Sequence, residues 1–162
     1  MQTIIDRQFT IRCGTTADSV LLLAWREAMM RDMGNTNDER IATAIAAFSP
    51  WLAARIGQSE RFVALIGECD GTPVACAMVM IHDHFPGLRD IVAQRGYIFN
   101  VYTHPRWRRR GYAGQLVQAC VNWLRERGIH SVSLHASQQG QSVYARLGFH
   151  APGMPEMVCG IE

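Results

Sequence analysis

Apolar residues occupy alternate positions near the start of the chain and then recur at helical spacing. In the stretch "QFTIRCG" they stand at every second position, at Phe9, Ile11 and Cys13, which predicts a first strand. Residues 15–34 follow with a helical pattern between a threonine that can cap the helix and Gly34, which can end it. The chain is therefore expected to open with a strand and a helix.

A second helix is predicted over residues 35–57, with Thr36 or Asn37 as its cap. Its apolar residues share one side of the helix and are Ile41, Ile45, Phe48 and Leu52. Pro50 lies inside this pattern and is expected to kink or split the helix, because proline has no amide proton for the backbone ladder.

Two β-prone runs then flank the dipeptide Asp70-Gly71, which favours the tight turn of a hairpin. A longer polar loop is predicted over residues 83–95. After it, "GYIFNVYTHP" is a nearly continuous β-prone run that stops at Pro105, as is typical of a central strand.

The last third predicts a helix over residues 111–127, a strand in "HSVSLHAS", a short helix in "QGQSVYARLG", and one or two final strands from Phe149 and "EMVCGI". The apolar face of the first of these helices consists of Leu116, Val117, Cys120, Val121 and Leu124. The predicted order is β-α-α-β-β-β-α-β-α-β, an α/β (α+β) fold with helices on the faces of a mixed sheet.

Length and composition indicate one domain, residues 1–162, of an ordinary globular protein with 48% hydrophobic and 19% charged residues. A net charge of +2 gives no reason to expect nucleic acid, and no apolar run approaches the length of a membrane span. The N-terminus lacks the pattern of a signal peptide. The five cysteines are scattered without metal-binding spacing, which favours a reducing, cytoplasmic setting.

Charge concentrates in one place, where four of the sixteen arginines stand within residues 106–110 and Gly111 follows at once. This turn joins a predicted strand to the start of a predicted helix, whose free amide groups and partial positive charge attract anions. Gly111 and Gly114 would let the backbone approach a phosphate closely, so the turn resembles a pyrophosphate cradle. A solvated basic loop or a nucleic-acid patch with Trp107 and Tyr112 are the alternatives.

The stretch "NVYTHPRWRRRGYAGQLV", followed about 30 residues later by "VYARLGF", resembles the GCN5-related N-acetyltransferases (GNAT). Their cofactor motif, V-x-V-x-P-x-x-[RQ]-x-x-G-x-[GA], is filled here with Thr in place of the second Val, by Val101, Thr103, Pro105, Arg108, Gly111 and Ala113. The predicted element order also matches that family. The resemblance implies a mixed, mostly antiparallel sheet flanked by helices, and acetyl-CoA as the cofactor.

The resemblance also implies how acetyl-CoA would be held. Backbone groups of the Val101–Thr103 stretch would pair with the pantetheine arm, where a β-bulge parts two neighbouring strands, and Ser137 would add a hydrogen bond. The amides from Arg109 to Gly114 would hold the pyrophosphate, and one or more of the arginine side chains at 106, 108, 109 and 110 would meet the remaining phosphate. The cofactor-binding residues are then Val101, Tyr102, Thr103, Arg108, Arg109, Arg110, Gly111, Tyr112, Ala113, Gly114 and Ser137.

For catalysis the resemblance points to Tyr144 as the general acid, since a tyrosine stands at this place before "xxLGF" in the family. Ser137 and Gly140 replace the Asn and Ala that often precede it. The general base is unknown, because the strand before the motif carries no Glu or Asp; the weak candidates are His135, Glu27 and Asp32. A histidine can relay a proton near neutral pH.

The sequence therefore predicts an N-acetyltransferase that moves an acetyl group from acetyl-CoA to a primary amine by direct transfer in a ternary complex. The alternatives are a non-catalytic acyl-CoA-binding or sensing module, or a nucleic-acid-contacting domain. The acceptor would be a small-molecule or peptide amine, with no nucleic acid, membrane or metal as partner, although "HDH" at residues 82–84 offers a loose metal-like pair. A homodimer through the last strands, common in the family, is also open.

Overall fold

The computed structural model describes residues 8–88 and 90–161. The strands and helices in these ranges are β1 (Phe9–Cys13), α1 (Ser19–Asp32), α2 (Asp38–Ala53), β2 (Phe62–Cys69), β3 (Thr72–Asp83), β4 (Gln94–Thr103), α3 (Tyr112–Arg125), β5 (Val132–Leu134) and α4 (Gln141–Arg146). Short 3-10 turns over Thr16–Asp18 and Pro105–Trp107 lead into α1 and out of β4.

The five strands form one open sheet in the order β1-β2-β3-β4-β5. The first four run antiparallel to their neighbours, and β5 runs parallel to β4 because α3 carries the chain back across the sheet. The predicted mixed, mostly antiparallel sheet flanked by helices is confirmed.

A two-residue turn closes the β2–β3 hairpin, as the sequence predicted. Both of its residues have positive φ, 50° at Asp70 and 75° at Gly71, which is the backbone of a primed turn. Its twist matches that of the flanking strands, so the long pair β2 and β3 forms the middle of the sheet.

Each face of the sheet has its own apolar core. On one face α3 buries the side predicted from its spacing, with Leu116, Val117 and Cys120 fully inaccessible to solvent. On the other face α1 and α2 pack through Leu22, Trp25 and Leu52 against β2, β3 and β4. Both faces of the central strands are therefore covered, which is why β3 is almost wholly apolar.

Pro50 was expected to kink or split the second helix, and the split is wrong. Helix α2 begins at its cap Asn37, whose side chain accepts a hydrogen bond from the Arg40 amide at 2.9 Å, and continues through Pro50 to Ala53. Pro50 has no amide proton to donate to the Ala46 carbonyl, and α2 ends within one turn after it, at Ala53.

The final strand of the predicted order is also wrong for the residues that the structure describes. Residues 149–161 contain no helix or strand and are exposed apart from Phe149. Pro152 and Pro155 cannot donate backbone hydrogen bonds, and Gly153 between them disfavours extended structure. The β-prone residues of "EMVCGI" do not form a strand here, because no neighbouring strand among the described residues pairs with them.

No helix within residues 8–88 and 90–161 has the length and apolar character that crossing a membrane requires.

We expect Gly67→Ala to destabilise the protein by about 1–3 kcal/mol, because overpacking displaces neighbouring groups. A Cβ at Gly67 would lie 2.5 Å from Cζ of Phe9, whose ring stacks on Tyr112 with centroids 4.1 Å apart. Each kcal/mol should lower the melting temperature by about 2–4 °C. The matched control is Gly87→Ala, where a Cβ meets no atom within 4 Å; equal melting temperatures for the two variants would contradict the prediction.

Candidate active site

A β-bulge interrupts β4 in the middle of the sequence motif. Met78 faces Phe99 and Cys76 faces Tyr102, so one residue of β3 opposes two residues of β4, Asn100 and Val101. Asn100 has a left-handed φ of 53° and is 4% exposed. Asparagine tolerates this backbone conformation better than most residues.

Strand β4, which carries the start of the motif, separates from its neighbour β5 just before this bulge. Pairing between β4 and β5 ends at Ile98 and Leu134, whereas β4 continues to Thr103. The amide of His104 donates to the Val74 carbonyl at 2.9 Å, so strand alternation turns the backbone groups of Val101 and Thr103 toward the side that β5 has left. The separation of two neighbouring strands beside a β-bulge, which the resemblance implied, is present.

Six consecutive backbone amides follow at the end of this strand. Within the described residues, none of the N–H groups from Arg109 to Gly114 donates a hydrogen bond. Arg109 and Gly111 adopt positive φ values of 62° and 79°, and α3 begins directly after Gly111 without a side-chain cap. Free amides at a helix N-terminus form a site for an anion. Ala113 and Gly114 carry too little side chain to obstruct it.

The side chain of Tyr112 anchors this turn to the sheet. It is 8% exposed, stacks on Phe9, and its hydroxyl accepts a hydrogen bond from the Cys69 thiol at 3.3 Å. The first residue of α3 is therefore fixed while its amide remains free.

The arginines of the turn divide into two groups. Arg106, Arg109 and Arg110 are exposed, and Arg110 lies over the ring of Trp107. Arg108 instead turns inward, where its Nε donates to the Thr103 carbonyl at 2.9 Å and its guanidinium forms an ion pair with Asp32 of α1. The exposed arginines have side chains directed to solvent, and Arg108 links the turn to the first helix.

Tyr144 lies on α4 and packs in the same core as α3. A Cβ at Gly140 would lie 2.8 Å from its Cε2 atom, so glycine makes room for the ring. The Ser137 hydroxyl accepts a hydrogen bond from the Gly140 amide at 3.2 Å, which holds the start of α4. Burial raises the pKa of Tyr144 above its ordinary value, which keeps the phenol protonated.

The three base candidates have different surroundings. Glu27 forms an ion pair with Arg31 at 2.9 Å, and Asp32 pairs with Arg108. The predicted strand around His135 is shorter than expected, so His135 follows the end of β5, where its Nδ1 lies 2.6 Å from the hydroxyl of Tyr97 on β4. No spacing or motif in the sequence predicts this contact between Tyr97 of β4 and the residue that follows β5.

A cavity of about 350 Å³ opens between α1, α2 and β4, next to the point where β4 and β5 part. Its walls are mostly aromatic, and Arg26 is its charged residue; the lining consists of Arg26, Ala44, Ala47, Phe48, Trp51, Met80, Tyr97 and Phe99. Arg26 was not among the site residues predicted from the sequence. The available signal was its place beside Trp25 on the apolar side of α1.

The thiols of Cys76 and Cys120 are unsuited to nucleophilic chemistry. Cys76 and Cys120 are fully buried, and burial raises the pKa of each to about 12. A thiol with so high a pKa carries almost no thiolate at neutral pH. Cys120 is a core residue of α3, as its spacing predicted.

The sequence matches the acetyltransferase (GNAT) family over residues 22–149. A GCN5-related N-acetyltransferase from Ralstonia eutropha is 30% identical, with a TM-score of 0.87 over 95% of this chain and 99% of that chain. A predicted acetyltransferase with acetyl-CoA from Clostridium acetobutylicum is 27% identical, with a TM-score of 0.79 over 94% of this chain and 96% of that chain. No curated protein matches the sequence.

The aminoglycoside N-acetyltransferase AAC(6′)-Iy, in complex with CoA, is 20% identical and has a TM-score of 0.69 over 99% of this chain and 98% of that chain, which shows the shared fold alone. The match over most of the chain shows that this protein belongs to the GNAT family of acetyltransferases.

We expect all four tyrosines to ionise above pH 10. Burial raises the pKa of Tyr97, Tyr102 and Tyr144, and the hydrogen bond between Tyr112 and Cys69, followed by burial, raises that of Tyr112. At about pH 10 an unperturbed tyrosine is half ionised, so the absorbance of the folded protein at the phenolate band should show less than half of its final change.

Guanidinium-unfolded protein provides the reference, with an expected midpoint near pH 10. Because the unfolded chain then loses phenolic protons first, the unfolding free energy should fall as pH rises past about 10. A phenol that titrates below 10 in the folded protein would contradict the assignment.

Proposed function

We propose that this chain is a single-domain N-acetyltransferase that transfers an acetyl group from acetyl-CoA to a primary amine, directly and within a ternary complex. The observation that carries the proposal is the run of six unpaired amides, Arg109 to Gly114, at the end of a strand that has left its neighbour.

These residues fit acetyl-CoA. An anion with two linked phosphates meets the requirement of the unpaired amides, and the exposed Arg106, Arg109 and Arg110 supply positive charge for a further phosphate. The backbone edge of Val101 and Thr103 suits the amides of the pantetheine arm, in the manner of an added strand. Acetyl-CoA supplies an acetyl group activated as a thioester.

Tyr144 is proposed to protonate the leaving sulfur as the bond between carbon and sulfur breaks and the bond between carbon and nitrogen forms. Its hydroxyl makes no hydrogen bond within residues 8–88 and 90–161, so its proton is available, and its raised pKa keeps that proton in place at neutral pH. The hydroxyl oxygen of Ser137 accepts a hydrogen bond from the Gly140 amide. Its hydroxyl proton remains available for a hydrogen bond to the pantetheine arm.

His135 is proposed as the base, acting through Tyr97. The amine loses a proton to the Tyr97 oxygen while the Tyr97 proton passes to Nδ1 of His135, 2.6 Å away, so the phenol stays neutral. Glu27 and Asp32 are each engaged in an ion pair with an arginine, so we favour His135 over them. The high pKa values of the Cys76 and Cys120 thiols argue against either as the nucleophile of a covalent enzyme intermediate, which favours direct transfer.

The two alternative functions would use parts of the same amide and arginine turn. A non-catalytic acyl-CoA-binding module would use the amides without Tyr144 or His135, and a nucleic-acid-contacting domain would use the exposed arginines alone. We favour a cytoplasmic enzyme, because all five cysteines are free. The homodimer stays a prediction, and with no strand in residues 149–161 its predicted edge is missing.

We expect acetyl-CoA at about 100 times its dissociation constant to add roughly 2.7 kcal/mol to the free energy of unfolding. The melting temperature should then rise by several degrees. The rise should be smaller with 3′-dephospho-CoA. Gly111→Glu should abolish it, because a carboxylate repels the pyrophosphate. Gly128→Glu is the matched control, since Gly128 also has positive φ and open space and lies beyond the other end of α3. Equal rises for the two variants would overturn the cradle.

In a screen of amines that follows thiol release from acetyl-CoA, we expect Tyr144→Phe and His135→Gln each to lower kcat by about 10²–10⁴-fold. His135→Gln should remove the acidic limb of the pH profile of kcat/KM, and Tyr144→Phe the alkaline limb. Both variants should keep the melting shift with acetyl-CoA.

His130→Gln, at another exposed histidine, serves as the control. An unchanged maximal rate for Tyr144→Phe at every pH would reject the acid, and a retained acidic limb in His135→Gln would reject the base. Release of thiol from no amine, together with a clear melting shift, would favour the binding module.

A further inference from the structure

We propose that the cavity between α1, α2 and β4 binds an apolar α-amino acid as the acceptor, with its carboxylate on Arg26 and its side chain against the aromatic walls. The inference rests on the proposed acetyl transfer and names the class of its acceptor.

The walls of the cavity select an apolar body. Phe48 and Trp51 stack with centroids 5.4 Å apart, and Phe99 meets both rings edge-on, at 6.5 Å and 6.0 Å. Tyr97 stacks on Phe99 at 5.9 Å and closes the side nearest to β5. Rings fixed by one another form a preformed apolar surface, which loses little entropy when it binds a flat or branched side chain.

Arg26 brings an uncompensated charge into this apolar space. Its Nη1 donates to Oδ1 of Asn100 at 3.2 Å, and its guanidinium carbon lies 4.1 Å from the centroid of the Phe48 ring. Its Nε is buried without a hydrogen-bond partner, and no carboxylate pairs with Arg26 in the part of the chain that the structure describes. Because a half-buried cation without an anion is unfavourable, an anion from outside the protein would stabilise this site.

The nearby carboxylates do not fill this need. On α1, Glu27 is paired with Arg31 and Asp32 with Arg108. Glu156, whose negative charge helps to raise the pKa of Tyr97, lies 3.9 Å from the other ring nitrogen of His135. The cavity is therefore positive, and an acceptor with several ammonium groups would meet repulsion.

The position of Arg26 also suits the chemistry. Its partner Asn100 stands at the β-bulge where the two strands part, and Tyr97 on the same strand carries the proposed proton path to His135. In an α-amino acid one carbon separates the amine from the carboxylate. An amino acid held by Arg26 therefore keeps its amine next to this point, whereas a longer spacer would carry it away.

A purely structural role for Arg26 is the alternative, since its hydrogen bond also holds the left-handed Asn100 in place. The two roles differ in their response to the charge of the acceptor. A structural arginine affects acids and amides alike, whereas a carboxylate-binding arginine affects only acids.

The test compares L-leucine, L-methionine, L-phenylalanine and L-tryptophan with their amides, as acceptors with acetyl-CoA and as ligands in calorimetry on the protein saturated with CoA. We expect the best acid to exceed its amide in kcat/KM by about 10- to 100-fold, the range for a hydrogen-bonded charge. Arg26→Gln should erase that ratio, and Arg26→Lys should restore part of it. Arg125→Gln, which removes an exposed arginine at the end of α3, should keep it.

The melting shift with acetyl-CoA should be the same in the wild type and in the three variants. Binding of acetyl-CoA is therefore tested separately from binding of the amino-acid acceptor. Acids and amides that bind and react equally well in the wild type would overturn the amino-acid acceptor and leave the acetyltransferase standing. An acid that binds in calorimetry and loses binding in Arg26→Gln, without any turnover, would support the pocket and overturn the proposed function. A ratio unchanged by Arg26→Gln would assign Arg26 a structural role only.

Discussion

One extra residue in β4 is the constraint on which the site depends. Opposite Ala77 the strand carries both Asn100 and Val101, and Asn100 takes up a left-handed backbone to accommodate them. That bend lies where β4 leaves β5, so the strand presents an unpaired edge inside the sheet. A sheet that stayed paired to the end of β4 would have no space for a long cofactor, and the turn of amides would follow a closed edge.

The bulge is supported from the helix face that roofs it. Arg26 of α1 holds the Asn100 side chain, and Cys76 lies beneath it with its sulfur 3.5 Å from the Asn100 carbonyl. Arg108 ties the amide turn to the same helix through Asp32. Helix α1 therefore contacts both the strand break and the turn, and it also forms one wall of the aromatic cavity. Through α1, the proposed acceptor and cofactor sites share one support.

Arginine is the only strongly basic residue type in this chain. The surroundings of the individual arginines indicate three different roles. Arg12 and Arg31 are paired with carboxylates and serve the fold. Arg109 and Arg110 stand exposed beside free amides, where an anion can approach from solvent. Arg26 is half-buried among aromatic rings with no carboxylate partner among the described residues. Composition treats these arginines alike, and only their surroundings distinguish them.

The sequence by itself determined the features that arise from neighbouring residues: the Asp70-Gly71 turn, the buried side of α3, and the Arg-rich turn at a helix start. These depend on local backbone preference and on periodicity. Tertiary structure decided the rest. Whether Pro50 ends a helix, whether the tail forms a strand, and whether His135 meets Tyr97, 38 residues away, depend on partners distant in sequence. The energy of such contacts comes from packing that no local pattern encodes.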